Sequence, residues 1–549
     1  MLDAIIERAG DWNPQLFREL KGQLKPRGLI IVGFLSFLGQ LLIYLAFASQ
    51  LHDDPTLYSP YVEWKDGVGI VNWSLWSADI FVTLSYVAFF GLLVIGTYLL
   101  TADLGKETRQ GTLNFIRMSP QSATSILVGK MLGVPALLYW GLAIAFPFHF
   151  AFGIAAGIPW YNVIGFDLIL VAACACFYSL ALLIGLLPLQ EVARSSIPFG
   201  VAAVTLMYLG FTQMALVHSF GNIYNFLFLF QPGVFLQAIA LEKSMFFTFQ
   251  YDSIFNWYQL NLQSHPSGAL LLGLVNFSLW TYWLWQGIKR RFNNAQTTLW
   301  SKTQSYWVSG SLLFLSLGFA FATFPDTNYL RMEHLAGIQF FYFLFCMVLI
   351  VCITPSREQV QIWSLHRPQY RRGIASFIFD EKSPAVLAVG INGLILYLGV
   401  VLYAIASVLL PSNTNASGNF LLGTTLACLA INWLFMIFCA SIYQVLSLVK
   451  SRRRIVLAKS SLLGLIFLWP LAVLFLLLPA QLQPMLVWLC TPFAMFTVTE
   501  VTLIEIILAG IGQSLAVIAT LSSIKQRTDY LGMSEAKILL NNNASTAIR

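Results

Sequence analysis

The residues best placed for chemistry or recognition lie in one run, Asp103-Leu104-Gly105-Lys106-Glu107-Thr108-Arg109-Gln110-Gly111-Thr112-Leu113, continuing through Ser119-Pro120 to Gly129-Lys130. A Gly-Lys pair suggests a phosphate loop, but that motif needs GxxxxGK followed by a magnesium-binding Ser or Thr. Here Gly105-Lys106 is followed by Glu107 and Gly129-Lys130 by Met131, so neither pair is expected to hold ATP. His-Glu-x-x-His is absent, the six histidines are scattered, and Glu333-His334 is a lone pair, so no metal set is visible. Catalysis in this chain, and a cofactor bound by it, are therefore not expected. What the run does offer is contact. Lys106, Glu107 and Arg109 supply charge, and Leu113, Phe115 and Ile116 can form an apolar patch on a short helix. These residues suit a docking surface. A solvated connector anchored by its apolar residues is the plainer reading.

The remaining candidates are sparse charges within apolar segments. Glu500 and Glu505 fall at the start of the last apolar stretch, and an acid inside a membrane is a functional candidate by default. Five residues apart on a helix, they face different sides. Glu505 is the candidate pathway charge, with an interfacial anchor as the alternative. His149 and His218 sit near span ends and read as polar termini. Tyr58, Tyr61, Trp64, Trp73 and Trp76 suit an interfacial aromatic belt. All seven cysteines lie in apolar stretches, which argues against a disulfide framework or a zinc site.

The elements that must position these residues are membrane helices. Hydrophobic residues make up 58% of the chain and charged residues 10%, against about 25% charged in soluble proteins. Long apolar runs such as 28–49, 80–100 and 462–478 can each cross a hydrocarbon core of about 30 Å as a helix. They lack the alternation of barrel strands. Spans are expected at 28–49, 79–101, 124–151, 163–187, 197–217 and 268–288. A second set is expected at 306–324, 335–354, 385–410, 419–449, 461–479 and 501–524. The fold class is thus all-α and polytopic, with about twelve transmembrane helices in two parallel six-helix halves.

Charge sets the expected orientation. All lysines and arginines except Lys65, Lys243 and Arg331 fall at the termini or in alternate gaps. The positive-inside rule then places both termini in the cytoplasm of a multi-pass protein of the plasma (inner) membrane. The net charge of +7 is topology and implies no nucleic-acid partner. Five regions follow: a cytoplasmic segment 1–27, a first half 28–291, a linker 292–305, a second half 306–527 and a cytoplasmic tail 528–549. No signal peptide is expected, since acids punctuate the first 25 residues. Within 13–25, Asn13 caps, Pro14 starts the helix, and Leu16, Phe17, Leu20 and Leu24 share one face, giving an N-terminal interfacial helix. The apolar segment 222–241 is interrupted by Gln231-Pro232-Gly233. A full crossing there would invert Lys289-Arg290-Arg291, so it should enter and return, with Pro232 at its tip. Residues 485–498, broken at Thr491-Pro492, repeat this arrangement before the last span.

The loop after the second expected span resembles that of the permease subunits of type-2 ABC exporters. The resemblance rests on Glu107, Gly111-Thr112-Leu113, Ser119-Pro120 and Gly129-Lys130, together with the N-terminal helix, the six-span unit and the Pro-broken hairpin. It covers residues 1–291. It implies that Glu107, Arg109, Gly111, Thr112 and Leu113 belong to a coupling helix docking on separate ABC ATPase subunits, which carry ATP and magnesium, and that 13–25 is an elbow helix. Membrane lipid is the other implied partner. The equivalent loop of the second half, around Glu358, has the position and charge but no Gly-Thr-Leu. One chain could supply both halves of a pathway, or two chains could pair as a homodimer. An ion- or proton-coupled secondary transporter and a noncatalytic membrane scaffold are the competing functions.

Overall fold

A computed structural model of the chain describes residues 7–8, 10–52, 58–65, 68–187, 191–215, 225–240, 243–247, 256–258, 260–262, 265–322, 328–366, 373–409, 422–451, 453–476, 489–498 and 501–533. Among these are eleven helices long and apolar enough to cross a membrane, and the chain is an all-α, multi-pass membrane protein. Helices satisfy every backbone donor and acceptor internally, which lipid demands. The chain forms two compact units, Met1–Ala295 and Gln296–Arg549.

The first unit opens with α1 (Pro14–Gln23), whose start is fixed by Asn13: its side chain accepts from the amides of Gln15 and Leu16 at 3.0 and 3.1 Å. Next come α2 (Pro26–Ala48) and a hairpin of β1 (Val62–Lys65) and β2 (Val68–Val71). Asn72 then caps α3, which runs from Trp73 to Arg109 with a π turn at Gly91–Ile95. α3 therefore starts six residues before the expected span. It buries Asp79, the first residue of the expected span, and Asp79 accepts bonds from Tyr61, Ser244 and the Met245 amide at 2.9, 2.5 and 3.0 Å. Of the expected belt residues, Tyr61 and Trp76 are buried in the same region, Trp64 is half-buried, and Tyr58 and Trp73 are exposed.

After α4 (Thr112–Arg117), the expected span 124–151 is two helices, α5 (Ala123–Gly133) and α6 (Ala136–Ala155). Pro135 lies at the junction and has no amide with which to continue the ladder. This break separates Lys130 from the membrane-crossing helix. The unit continues through α7 (Trp160–Gly185), α8 (Glu191–Ala215), α9 (Asn225–Phe228), α10 (Pro232–Ala240), a small hairpin of β3 (Asn256–Trp257) and β4 (Leu260–Asn261), and α11 (Pro266–Asn293). α10 is buried along its length and packs on α3, α7 and α11.

The second unit contains α12 (Lys302–Ala320), α13 (Asn328–Ile353), α14 (Arg357–His366), α15 (Gly373–Phe379), α16 (Val386–Leu409) and α17 (Leu422–Ser447). α18 (Arg454–Leu463) continues through a π turn at Gly464–Leu468 into Trp469–Leu476, and α19 (Leu503–Leu531) closes the unit. Of the twelve expected spans, 306–324 is the one whose helix falls outside the eleven. α12 occupies it, but its polar start and serines make it less apolar. α19 carries the chain through 528–531, so the segment taken as a tail begins as helix. Residues 534–549 lie outside the described residues.

Candidate functional site

The loop singled out by sequence is held from below by α1 and α5. Asp103 and Glu107 are four residues apart on α3 and therefore share a face. Both point to Lys130 of α5: its ammonium lies 2.5 Å from Asp103 Oδ2 and 2.8 Å from Glu107 Oε1. Glu19 of α1 adds a third carboxylate at 3.5 Å, and Arg18 bridges Glu107 and Glu19 at 2.6 and 3.1 Å. The Lys130 side chain is fully buried. Burial alone would lower its pKa, but Asp103, Glu19 and Glu107 more than offset that and hold it above the ordinary lysine value. The three carboxylates lie within 4.8 Å of one another, a spacing that would suit a divalent cation, but the ammonium stands among them.

Glycine makes this approach feasible. A Cβ at Gly129 would meet the Leu16 amide nitrogen at 2.8 Å and Asn13 Oδ1 at 2.9 Å, so α1 lies directly on the backbone of α5. Asn13 Nδ2 fastens the contact, donating to the Ser125 carbonyl at 2.7 Å. Gly129-Lys130 is thus a seat for a helix and a counter-ion for its acid.

Glu107 was expected to offer charge outward. It is instead 7% exposed and turned into the cluster, because α3 continues through it. Arg109 and Lys106 remain exposed. Gly111 adopts φ 73°, a left-handed conformation that favours glycine, and turns the chain into α4. The Thr112 hydroxyl donates to the Glu107 carbonyl at 3.2 Å. The expected apolar patch divides: Leu113 and Ile116 are buried, whereas Phe115 and Met118 are 80% and 81% exposed. On a one-and-a-half-turn helix these pairs fall on opposite sides. Arg117 lies over the Phe292 ring at 5.4 Å, tying the same loop to the end of α11.

Glu358 lies in the other unit, on α14, and pairs with Arg454 at 2.5 Å. Burial raises its pKa, but hydrogen bonds and the Arg454 charge outweigh that and hold it below the usual carboxylate range. That unit has its own buried lysine, Lys302, which precedes the expected span 306–324. Its ammonium donates to the Phe377 carbonyl, the Ser383 hydroxyl and the Pro384 carbonyl at 2.8, 2.5 and 3.0 Å. These are neutral partners. Burial pushes Lys302 down to about 7, against a smaller opposing pull from Asp380 and Glu381.

The proline candidates are both anchored by amides. Pro232 begins α10, and Gln231 beside it donates to the Leu209 carbonyl at 3.0 Å and Gln213 Oε1 at 3.2 Å. The Pro492 carbonyl accepts from Gln339 at 3.2 Å and Asn432 at 3.0 Å. Glu505 is the third residue of a capping box: its Oε2 accepts from the Thr502 amide and hydroxyl, both at 2.8 Å, at the start of α19. The Thr-x-x-Glu signature in the sequence encodes that role. His149 lies within α6 and is buried, so it is not a span terminus. His218, Glu500 and residues 367–372 of the loop that follows Glu358 lie outside the described residues.

Sequence reasoning noted Lys130 as part of a motif but did not connect it to Asp103, Glu107 and Glu19. The i,i+4 spacing of the first two acids was the available signal. Comparison with known protein families, curated proteins and solved structures finds no match.

Proposed function

We propose that the chain is the permease subunit of an ABC transporter of the exporter kind, coupled through the α3–α4 loop to separate ATPase subunits. The observation that carries this reading is the exposed Phe115–Met118 tip, which stands on a base immobilised by buried Leu113, Ile116 and the Lys130 cluster. Exposed apolar side chains on a fixed support suit a protein contact. α1 then acts as the elbow, and the side bearing the basic loops is cytoplasmic. In this scheme ATP binding favours one arrangement of the partner ATPases, and the loop transmits that preference to the helices. Copurification from native membranes should recover an ATP-hydrolysing subunit. Glu107→Lys should lower its recovery while membrane insertion is retained, and Phe115→Ser, which leaves the cluster intact, should do the same. Recovery unaffected by either change would remove the loop from the mechanism.

A proton- or ion-coupled transporter is the second reading, favoured by the intramembrane pair His149 and Asp167, whose Nδ1 and Oδ1 lie 3.7 Å apart. Transport by the chain alone in vesicles without ATP, lost in Asp167→Asn, would favour it.

A further inference from the structure

The first unit contains a cavity of about 850 Å³ bordered by α2, α3, α6 and α7 and by the end of α5. Its walls are apolar except for a few groups, and hydrogen bonding has sorted those groups into one kind. The Ser36, Tyr139 and Tyr178 hydroxyls donate to the carbonyls of Gly141, Met131 and Leu92 at 2.8, 3.0 and 2.8 Å. The Gln40 amide nitrogen is likewise occupied, donating to the Ser36 carbonyl at 3.1 Å. These donors are already engaged.

His149 and Asp167 are different. The Ser85 hydroxyl has one proton, and its 2.8 Å bond to the Phe81 carbonyl, which can only accept, fixes that proton there. The 2.8 Å contact between Ser85 Oγ and His149 Nε2 then requires the imidazole to donate from Nε2. In the neutral ring this leaves Nδ1 as a bare acceptor. It faces Asp167 Oδ1 at 3.7 Å, and Asp167 Oδ2 is buried without a partner. Acceptor thus faces acceptor, and among the described residues no Lys or Arg lines the cavity to answer the carboxylate. The missing element is a donor that carries positive charge.

We propose that this cavity binds a membrane-borne amphiphile with a primary ammonium head and a single apolar body, the head seated between His149 Nδ1 and the Asp167 carboxylate. The ammonium supplies N–H donors to both acceptors and the counter-charge that a half-buried carboxylate needs. A phosphate-bearing head would meet no cation among the described lining residues. The volume lies within the roughly 300–1,000 Å³ of small-molecule sites, which fits one chain better than a whole two-chain lipid. Binding is a property of this chain and does not rest on an ATPase partner, so it stands or falls separately from the proposed coupling.

The test uses the full chain in nanodiscs of uncharged lipid with a diazirine-bearing hexadecylamine, and adducts are mapped by mass spectrometry. Saturable labelling is expected around Leu142, Phe146 and Val171, competed by hexadecylamine but at least tenfold less well by hexadecyltrimethylammonium, which has no N–H. Asp167→Asn should weaken labelling about tenfold or more. Ala88→Phe, which fills the cavity and spares the polar pair, should also reduce it and keeps the test valid if the first variant does not fold. Non-saturable labelling, equal competition by the quaternary ion, or labelling unaffected by the folded variants would overturn the proposal.

Discussion

Among the described residues each unit buries one lysine, and the two are stabilised in opposite ways. Lys130 stands among Asp103, Glu107 and Glu19, whereas Lys302 is held by two carbonyls and a serine hydroxyl. Carboxylates offset the desolvation of an ammonium and neutral oxygens offset it less, so one pKa is raised and the other falls to about 7. The lesson concerns the loops. In the first unit the charge cluster joins α1, α3 and α5 into a fixed base for α4. In the second, the charged pair available to α14, Glu358–Arg454, is exposed at the surface and Lys302 serves only the join of α12 to the α15 region.

The largest effect should come from Lys130→Met. Removing the cation leaves three partly to largely buried carboxylates facing one another, a loss of about 3–5 kcal/mol. Thermal unfolding in detergent would report it. If Asp103→Asn in the same chain restores none of the loss, the cluster is not what holds α5 to α3.

The two lysines should also respond oppositely to pH. Unfolded lysine titrates near 10.5. Because folding lowers the value for Lys302, the unfolded chain holds a proton that the folded chain lacks between about 7 and 10.5. Stability should therefore rise with pH through that window, by as much as about 5 kcal/mol, and be level below it. Lys302→Met should flatten the rise. Lys130, with a raised value, contributes stability that is fully present below 10.5 and is lost only as pH rises through its higher folded value. A pH profile unchanged by Lys302→Met would refute the contrast.

The smallest effect belongs to Glu358→Ala. An ion pair with Glu358 47% exposed contributes about 0–1 kcal/mol, so the melting point should barely move. A loss comparable to that of Lys130→Met would mean that α14 is as firmly based as α4.

Much of the architecture could be read from composition and periodicity because lipid imposes a length and an apolar surface on each helix. Misreadings occurred where a single residue overrides that pattern. Pro135 divides an apolar run that otherwise reads as one span, and Asn72 starts α3 early enough to bury Asp79. The loop from Glu107 to Leu113 was visible as a motif, but its inward and outward faces were not. Whether Glu107 points to a partner or to Lys130 depends on α3 persisting to Arg109, and helix ends are set by local caps and turns such as Gly111. The acceptor pair at His149 and Asp167 was invisible for a different reason. The residues lie on different helices, and the other imidazole nitrogen meets Ser85 on a third.

The contrast between the two loops is tested most directly by photocrosslinkers placed at Phe115 on α4 and at Ile374 on α15, both exposed apolar positions. Each full-length variant would be irradiated in native membranes with and without ATP. Phe115 should form an adduct with a separate ATP-hydrolysing subunit, in a yield that changes with nucleotide, and Ile374 should form that adduct weakly. If Phe115 labels lipid alone in both conditions, the first loop is not a coupling surface and the permease reading fails.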